Sequence, residues 1–250
     1  MLRTRLITVL TLNEGVLFRT KLFQPDYRYT SNFVDTWSVD EIVMLDVTRP
    51  KDGAEPHREL FFEGLKRIAS RCFVPIAAGG GIRTMDDVRR MMDAGADKVV
   101  VNTGAIERPA LISEIAKSHG AQCTVLSIDA RRAGDGHEVF SSFGTKATSL
   151  KPAEWARQAV ELGAGEIFLT SIDQDGSLNG YDVKLCAEVA AAVNVPVLIS
   201  GGAGSWQHFV DGVKKGGASA VCTSNIYHFT ETSLKSAKQF MARAGLPVRV

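Results

Sequence analysis

Two glycine-rich stretches, each placed directly after an apolar run, are the first sign of chemistry in this sequence. One reads Val-Pro-Ile-Ala-Ala-Gly-Gly-Gly over residues 74–81, and the other reads Val-Pro-Val-Leu-Ile-Ser-Gly-Gly over 195–202. Glycines let backbone N–H groups approach a ligand closely, and a following helix points its positive end at an anion. Both stretches are therefore expected to bind phosphate, although glycines that serve only tight turns give the same pattern.

The two stretches belong to a repeat of about half the chain. At an offset of 121 positions, Gly80, Gly81, Gly95 and Thr103 coincide with Gly201, Gly202, Gly216 and Ser224. Two similar halves, each with one phosphate-type loop, suit an elongated substrate that carries a phosphate at each end.

The best candidate for acid–base chemistry is Asp129, in the stretch Ser-Ile-Asp-Ala-Arg over 127–131. A carboxylate at the end of a buried strand is costly to desolvate unless it is paired or used, and it can act as a general acid or base. A structural carboxylate bonded to loop amides is the alternative. The matching position in the first half is Thr11. Because a hydroxyl near neutral pH cannot exchange protons as a carboxylate does, an acid–base pair drawn from both halves lacks one member.

Four charged residues form a second group. Arg5, Glu41, Lys98 and Glu166 each stand at the start of an apolar run. Two cations and two anions at strand starts are typical of ordinary ion pairing, and the residues alone favour that interpretation.

The composition narrows the classes of function. The chain has 250 residues, of which 45% are hydrophobic and 23% charged, as in ordinary globular proteins. Its net charge of +1 gives no electrostatic reason to expect nucleic acid or a membrane surface as a partner. The four cysteines and five histidines show no metal-ligand spacing. We therefore expect no metal or other cofactor, and a cytoplasmic protein with reduced thiols.

Alternating strands and helices must position these groups. Apolar runs predict eight strands, near 5–11, 41–46, 74–78, 98–102, 123–129, 166–171, 196–200 and 219–223. Segments of helical period predict helices at 58–70, 85–94, 109–118, 152–162, 182–193, 205–215 and 233–243. The segment from Lys21 to Thr30 is predicted to be a loop, followed by a short helix near 32–38. The chain is predicted to be an α/β protein, one closed (β/α)8 TIM barrel with a two-fold half-barrel repeat, as a single domain over 1–250. An open doubly wound sheet is the alternative, and the half-chain repeat disfavours it.

In such a barrel the carboxyl ends of the strands surround the mouth, where ligands bind. We predict two phosphate cradles there. One consists of Gly80, Gly81, Asn102 and Thr103, and the other consists of Gly201, Gly202, Thr223 and Ser224. The remaining polar candidates at the mouth are Thr11, Asp46, Asp129, Asp175, Gly176 and Ser200.

Several longer motifs carry a resemblance to a known family. They are Asp40 to Asp46, Gly79 to Arg83, Gly95 to Val99 with Asn102-Thr103, Ser127 to Ala130, Gly163 to Ile167, Thr170 to Gly176, Gly180 to Asp182, Ser200 to Gly204, and His228-Phe229. On these motifs the chain resembles the HisF family, the cyclase subunit of imidazole glycerol phosphate synthase, over almost its full length.

The resemblance implies both a fold and an activity. The family is a (β/α)8 barrel that takes ammonia from a separate, HisH-like glutaminase docked on its bottom face. It passes the ammonia up the barrel and closes an imidazole ring on a ribulosyl bis-phosphate at the mouth. By resemblance, Asp129 is one of two catalytic aspartates, and Asp97 touches the glutaminase. The charged gate of the ammonia channel corresponds to Arg5, Glu41, Lys98 and Glu166. The resemblance therefore favours a gate over ordinary ion pairing for these four residues.

The chain departs from the family at the mouth. The family's first strand ends in Cys-Leu-Asp-Val with a catalytic aspartate, whereas this chain has Thr11 in the stretch Val-Leu-Thr-Leu over 9–12. Arg19, a candidate substrate-binding residue, replaces a lysine of the first loop, and the stretches 21–30 and 141–144 also differ. These departures favour a paralogue with weak or no cyclase activity that forms a heterodimer with its glutaminase. Such a paralogue would serve a sugar amidotransferase that makes amidino or amidated surface sugars.

Three alternatives stay open. The first is an authentic histidine-pathway cyclase, in which Asp129 works alone or with a substituted partner. The second is a scaffold that only binds and activates its glutaminase. The third is the related isomerase of the same pathway, which shares the two-phosphate barrel but uses no ammonia, and the intact gate disfavours it.

Overall fold

The computed structural model describes residues 3–28, 39–51, 58–224 and 234–249. The predicted short helix near 32–38 and the motif His228-Phe229 lie outside these ranges, as do the last two residues of the predicted loop from Lys21 to Thr30.

Strands and helices alternate along most of the described chain. The strands are β1 (Arg5–Asn13), β2 (Val16–Lys21), β3 (Gln24–Arg28), β4 (Glu41–Asp46), β5 (Ile76–Gly79), β6 (Lys98–Val101), β7 (Thr124–Ala133), β8 (Gly136–Ser141), β9 (Lys146–Ala147), β10 (Glu166–Ser171), β11 (Val197–Ser200) and β12 (Ala220–Thr223). The helices are α1 (Glu59–Ala69), α2 (Met85–Asp93), α3 (Thr103–Glu107), α4 (Ala110–His119), α5 (Pro152–Glu161), α6 (Val183–Ala192), α7 (Trp206–Lys214) and α8 (Leu234–Arg243), with a 3₁₀ turn at Ala121–Cys123.

Eight of the strands close a parallel barrel. Their order around the barrel is β1, β4, β5, β6, β7, β10, β11 and β12, and β12 pairs back onto β1. The prediction of a (β/α)8 barrel is confirmed. The half-chain repeat is visible in the elements, because β5 and α2 recur 121 positions later as β11 and α7.

The barrel has an inner and an outer apolar layer, because side chains of successive strand residues point to opposite faces of the sheet. The outer layer lies between strands and helices and contains large side chains such as Phe61, Met91 and Phe209. A separate inner cluster fills the barrel itself, with Ile7, Val9, Val43, Ala77, Val100, Val125, Phe168, Leu198, Ala220 and Cys222.

Two helices begin at a side chain that satisfies one of their first N–H groups. Thr84 caps α2 in a reciprocal capping box with Asp87, and Asp182 caps α6 by accepting a hydrogen bond from the backbone N–H of Leu185 at 3.0 Å. Pro152 occupies the first turn of α5, where its missing N–H costs nothing. None of the helices in the described ranges has the length and apolar character needed to cross a membrane.

Two antiparallel hairpins extend the barrel at related places in the two halves. β1 runs on into β2 and β3, and β7 runs on into β8 and β9. The prediction of a loop over Lys21 to Thr30 is wrong for Lys21, which ends β2, and for residues 24–28, which form β3. The turns explain the error, because they use Leu22-Phe23 and Ser142-Phe143 at positive φ of 52° and 61° in both cases. Hairpin turns usually reveal themselves through Gly, Asn or Asp at such positions.

Candidate functional site

The mouth of the barrel holds a cavity of about 590 Å³. Its wall brings together residues from all eight barrel strands or the loops that follow them. The predicted site residues that line the cavity are Thr11, Asp46, Gly80, Gly81, Asn102, Thr103, Asp129, Asp175, Gly176, Ser200, Gly201, Gly202, Thr223 and Ser224. Arg19 is the one predicted substrate-binding residue that does not line it.

Asp129 projects into this cavity from β7. Its Oδ2 accepts a hydrogen bond from Asn102 Nδ2 at 2.8 Å, and its Oδ1 accepts a long one from Ser127 Oγ at 3.4 Å. Burial raises the pKa of Asp129 to about 7. The Ser127 hydroxyl opposes this shift and the charge of Asp175 adds to it. A carboxyl group with a pKa near neutral can both give and take a proton, so the site can perform acid–base chemistry.

Thr11 lies in the cavity wall on β1 and is 8% exposed. Its hydroxyl donates a hydrogen bond to the backbone carbonyl of Phe18 across the first hairpin. The strand does not end at Thr11 as predicted but continues to Asn13, because β2 extends the pairing. Thr11 therefore contributes a structural hydrogen bond and no titratable group.

The loop after β5 forms the first of the two predicted cradles. Gly80 and Gly81 have φ of 103° and 62°, a region that residues with a Cβ rarely adopt. The amide N–H groups of Gly81 and Ile82 find no protein acceptor among the described residues. Unpaired N–H groups beside a cavity are suited to binding the oxygens of an anion.

The second predicted cradle is the loop after β11. Gly202 has φ of 104°, and a Cβ there would lie 2.1 Å from the carbonyl oxygen of Gly180. Within the described residues, the N–H groups of Gly202 and Ala203 have no acceptor. The hydroxyl of Thr223 is also buried without a hydrogen-bond partner there. Buried polar groups are rarely left unpaired, so this cradle has donors to offer an anion.

Asp175 anchors the first hairpin over the mouth. Its Oδ1 accepts a hydrogen bond from Thr20 Oγ1 at 3.1 Å, its Oδ2 accepts one from the N–H of Phe23 at 3.0 Å, and its own carbonyl accepts one from the N–H of Leu22 at 3.2 Å. Burial raises the pKa of Asp175, while the hydrogen bonds that its carboxylate accepts from Phe23 and Thr20 and the charge of Arg19 oppose the shift. Arg19 thus acts on the site through Asp175 rather than from the cavity wall.

The two hairpins meet above the cavity. Arg49 donates a hydrogen bond to the carbonyl of Phe23 at 2.9 Å, and its guanidinium lies 5.5 Å from the ring centre of Phe143. Phe23 also packs closely on Gly144, where a Cβ would lie 3.0 Å from its ring. Phe23 and Phe143 both line the cavity. Sequence reasoning missed these two aromatic side chains, because Phe23 and Phe143 each hold a positive φ of 61° in their turns, where Gly, Asn or Asp is usual.

The four charged residues at the strand starts form a closed ring at the bottom of the barrel. Arg5 contacts Glu41 at 2.6 Å and Glu166 at 2.9 Å, and Lys98 contacts the same two carboxylates at 2.9 Å each. The ring alternates in sign and has no net charge. Burial alone would lower the pKa of Arg5, but the charges of Glu166 and Glu41 outweigh it and raise that pKa.

The inner apolar cluster separates this ring from the mouth. On β10 the side chain of Glu166 belongs to the ring, Phe168 to the apolar cluster and Thr170 to the cavity wall. Four residues of strand span about 13 Å. The barrel axis therefore connects a charged ring, an apolar layer and a polar cavity in that order.

Asp97 lies beside the ring on the exposed bottom rim. Its Oδ2 accepts a hydrogen bond from the N–H of Ile76 at 2.8 Å, and its own N–H bonds to the carbonyl of Ile76 at the same distance. This pair ties the start of β5 to the turn before β6. Among the described residues, no group of three or more His, Cys, Asp or Glu side chains could hold a metal ion.

Comparisons with known proteins identify relatives of the chain. The family described as "Histidine biosynthesis protein" matches residues 8–233. A relative from Hyphomonas neptunium, named "Imidazole glycerol phosphate synthase subunit HisF", is 42% identical over 254 residues, which cover 100% of this chain and 99% of that protein. A relative with the same name from Caulobacter vibrioides is 43% identical over 257 residues and covers 100% of this chain and 97% of its own length.

Proposed function

The chain belongs to the HisF family, and we propose that it is the synthase subunit of a glutamine amidotransferase, which receives ammonia from a HisH-like glutaminase at the bottom of the barrel and uses it at the mouth. The observation that carries this proposal is the closed ring of Arg5, Glu41, Lys98 and Glu166, which lies on the barrel axis below a cavity with acid–base and anion-binding groups. We infer a heterodimer in the cytoplasm with no cofactor of its own.

The route through the barrel selects the reactive form of nitrogen. Ammonium carries a charge that is costly to move into an apolar layer, whereas neutral ammonia passes at much lower cost. The inner cluster around Val100 and Phe168 is such a layer. Ammonia would therefore reach Asp129 unprotonated and out of bulk water, as a nucleophile ready to attack a carbonyl carbon.

At the mouth, the two cradles would hold the ends of a substrate with two phosphates. Asp129, with its pKa near 7, would give or take the protons that condensation and ring closure require. The names of the relatives and the description of the matching family favour imidazole glycerol phosphate synthesis in histidine biosynthesis as the reaction. Steady-state turnover of the ribulosyl bis-phosphate with ammonium salt tests this directly, and an inactive enzyme in that assay would contradict it.

One observation favours a second candidate function. Thr11 stands where the family has its other catalytic aspartate, and its hydroxyl is used to bond Phe18. In this alternative the chain keeps the glutaminase, the ammonia route and at least one phosphate cradle. It then supplies a sugar amidotransferase that makes amidino or amidated surface sugars. This alternative predicts that the chain turns over the ribulosyl bis-phosphate very slowly but still activates its glutaminase.

Asp129→Asn separates the ring-closing function from a mere scaffold. A scaffold that only activates its glutaminase predicts that this variant leaves glutamine hydrolysis and the downstream product unchanged. The proposed function predicts normal glutamine hydrolysis with loss of the product, because Asp129 acts only at the mouth.

A further inference from the structure

Arg58 lies beneath the first anion cradle, directly before α1. Its Nη2 donates a hydrogen bond to the carbonyl of Gly80, and its Nη1 donates one to the carbonyl of Gly81 at 3.3 Å. Its Nε donates to Asp46 Oδ2 at 3.2 Å. The side chain is only 12% exposed and also packs on the ring of Phe62, 5.4 Å from its centre. The guanidinium is thus held on three sides.

These two hydrogen bonds determine where the loop's N–H groups point. In a trans peptide the carbonyl and the next N–H point in opposite directions. When the carbonyls of Gly80 and Gly81 face Arg58, the N–H groups of Gly81 and Ile82 must face away from it. Those are the two N–H groups that lack an acceptor among the described residues. A Cβ on Gly81 would lie 3.0 Å from Arg58 Cζ, so the loop rests directly on the guanidinium.

The second cradle has no such cation among the described residues. There the carbonyl of Gly202 accepts a hydrogen bond from the backbone N–H of Gly180 at 2.8 Å, which turns the N–H of Ala203 the other way. The two halves therefore orient equivalent peptides by different means. The peptide after Gly81 is oriented by a side chain, and the equivalent peptide after Gly202 is oriented by a backbone N–H group.

Orientation, rather than charge, is the contribution of Arg58. Asp46 at 3.2 Å and Asp87 at 3.8 Å compensate its positive charge. A planar guanidinium can bond two adjacent carbonyls at once, whereas an ammonium is a single point charge. We propose that Arg58 is the positioning residue of the first anion cradle, which it holds in the conformation that binds one phosphate of the substrate. This inference rests on the proposed phosphate binding at the mouth.

Calorimetric titration of the whole protein with inorganic phosphate tests the proposal. The wild-type protein is expected to bind two phosphate ions. Arg58→Met is expected to weaken one of the two sites about tenfold and leave the other unchanged, because only the first loop loses its two charge-assisted hydrogen bonds. In steady-state assays the same variant should raise KM for the bis-phosphate substrate and leave KM for ammonium unchanged, which a general loss of structure would not do.

Two further variants make the test selective. Arg58→Lys keeps the charge beside Asp46 and is expected to fold, but it should bind phosphate as weakly as Arg58→Met. A lysine variant with wild-type affinity would overturn the orientation argument. Arg90→Met is the matched control, because Arg90 packs on the same Phe62 ring at 4.3 Å but pairs with Glu59 instead of with the loop carbonyls. It should bind two phosphates normally.

The outcomes distinguish the inference from the function on which it rests. A wild-type protein that binds no phosphate at all contradicts both. A different result is that the wild-type protein and the Arg58→Met variant both bind two phosphate ions with equal affinity. That result contradicts only the role of Arg58.

Discussion

Thr11 and Asp129 occupy equivalent positions on opposite strands of the barrel. Thr11 lies beside Leu45 of β4 in the barrel and beside Phe18 of the first hairpin. Asp129 lies beside Thr170 of β10 and Phe140 of the second hairpin. The two halves therefore bring a hydroxyl and a carboxyl group to matching places in one cavity.

Thr11→Asp tests whether the missing carboxyl group limits ring closure. We expect turnover of the ribulosyl bis-phosphate with ammonium salt to rise by about 10²-fold, the lower end of what acid–base catalysis contributes. The same change places an acceptor against the carbonyl of Phe18, so the free energy of unfolding should fall by about 1–3 kcal/mol.

Thr11→Asn is the control for this substitution, because its amide can still donate to Phe18 but cannot exchange protons. It should keep the wild-type stability and show no gain in turnover. An aspartate variant that is folded and equally slow would mean that this carboxyl group is not the deficit.

The raised pKa of Asp129 predicts a pH-dependent stability. Its folded-state pKa is about 7, against an ordinary value of 3.8. Between these values the folded protein holds more protons than the unfolded chain, so ionising Asp129 costs stability as pH rises from about 4 to about 7. Urea denaturation should therefore show that Asp129→Asn gains stability relative to wild type between about pH 5 and about pH 8. A constant difference over that range would contradict the assigned pKa.

The charged ring predicts a strong effect of removing one cation. Lys98→Met leaves two buried carboxylates to share Arg5, and the free energy of unfolding should fall by roughly 2 to 4 kcal/mol. We also expect glutamine-dependent turnover to fall much more than turnover with added ammonium salt. Equal losses in the two assays would count against an ammonia route through the ring.

A charge-balanced variant is the matched control for the ring. Lys98→Met combined with Glu166→Gln leaves the contact between Arg5 and Glu41 at 2.6 Å intact and restores neutrality. It should recover most of the lost stability in chemical denaturation. The ammonia route should stay impaired, because the closed ring is absent.

Gly202→Ala tests the backbone requirement of the second cradle. Its φ of 104° is one that residues with a Cβ rarely adopt, and a Cβ there would lie only 2.1 Å from the carbonyl oxygen of Gly180. The free energy of unfolding should fall by roughly 2 to 4 kcal/mol, and KM for the phosphorylated substrate should rise. Gly134→Ala has a positive φ of 58° with open space around it, and it should cost only about 1 kcal/mol without affecting KM.

The strands and helices that could be predicted from the sequence are those with a clear local pattern of apolar residues. The strand over 166–171 is the same in prediction and structure, and the helix predicted at 152–162 is observed as Pro152–Glu161. Apolar periodicity and glycine turns are properties of neighbouring residues, so they can be read without coordinates. The turns between β2 and β3 and between β8 and β9 were missed because Leu22-Phe23 and Ser142-Phe143 hold positive φ values that their residue types disfavour. Contacts with Asp175, Arg49 and Gly144 stabilise these turns.

The sequence by itself determined the alternation of strands and helices, the half-chain repeat, and glycines at two matching strand ends. Those features depend on residues close together in the chain. Tertiary structure alone decided that Arg5 and Lys98 each contact both Glu41 and Glu166, and that Arg58 faces the carbonyls of Gly80 and Gly81. It also decided that Asp129 has a pKa near 7. Each depends on burial and on groups brought together from distant parts of the chain, which no local pattern specifies.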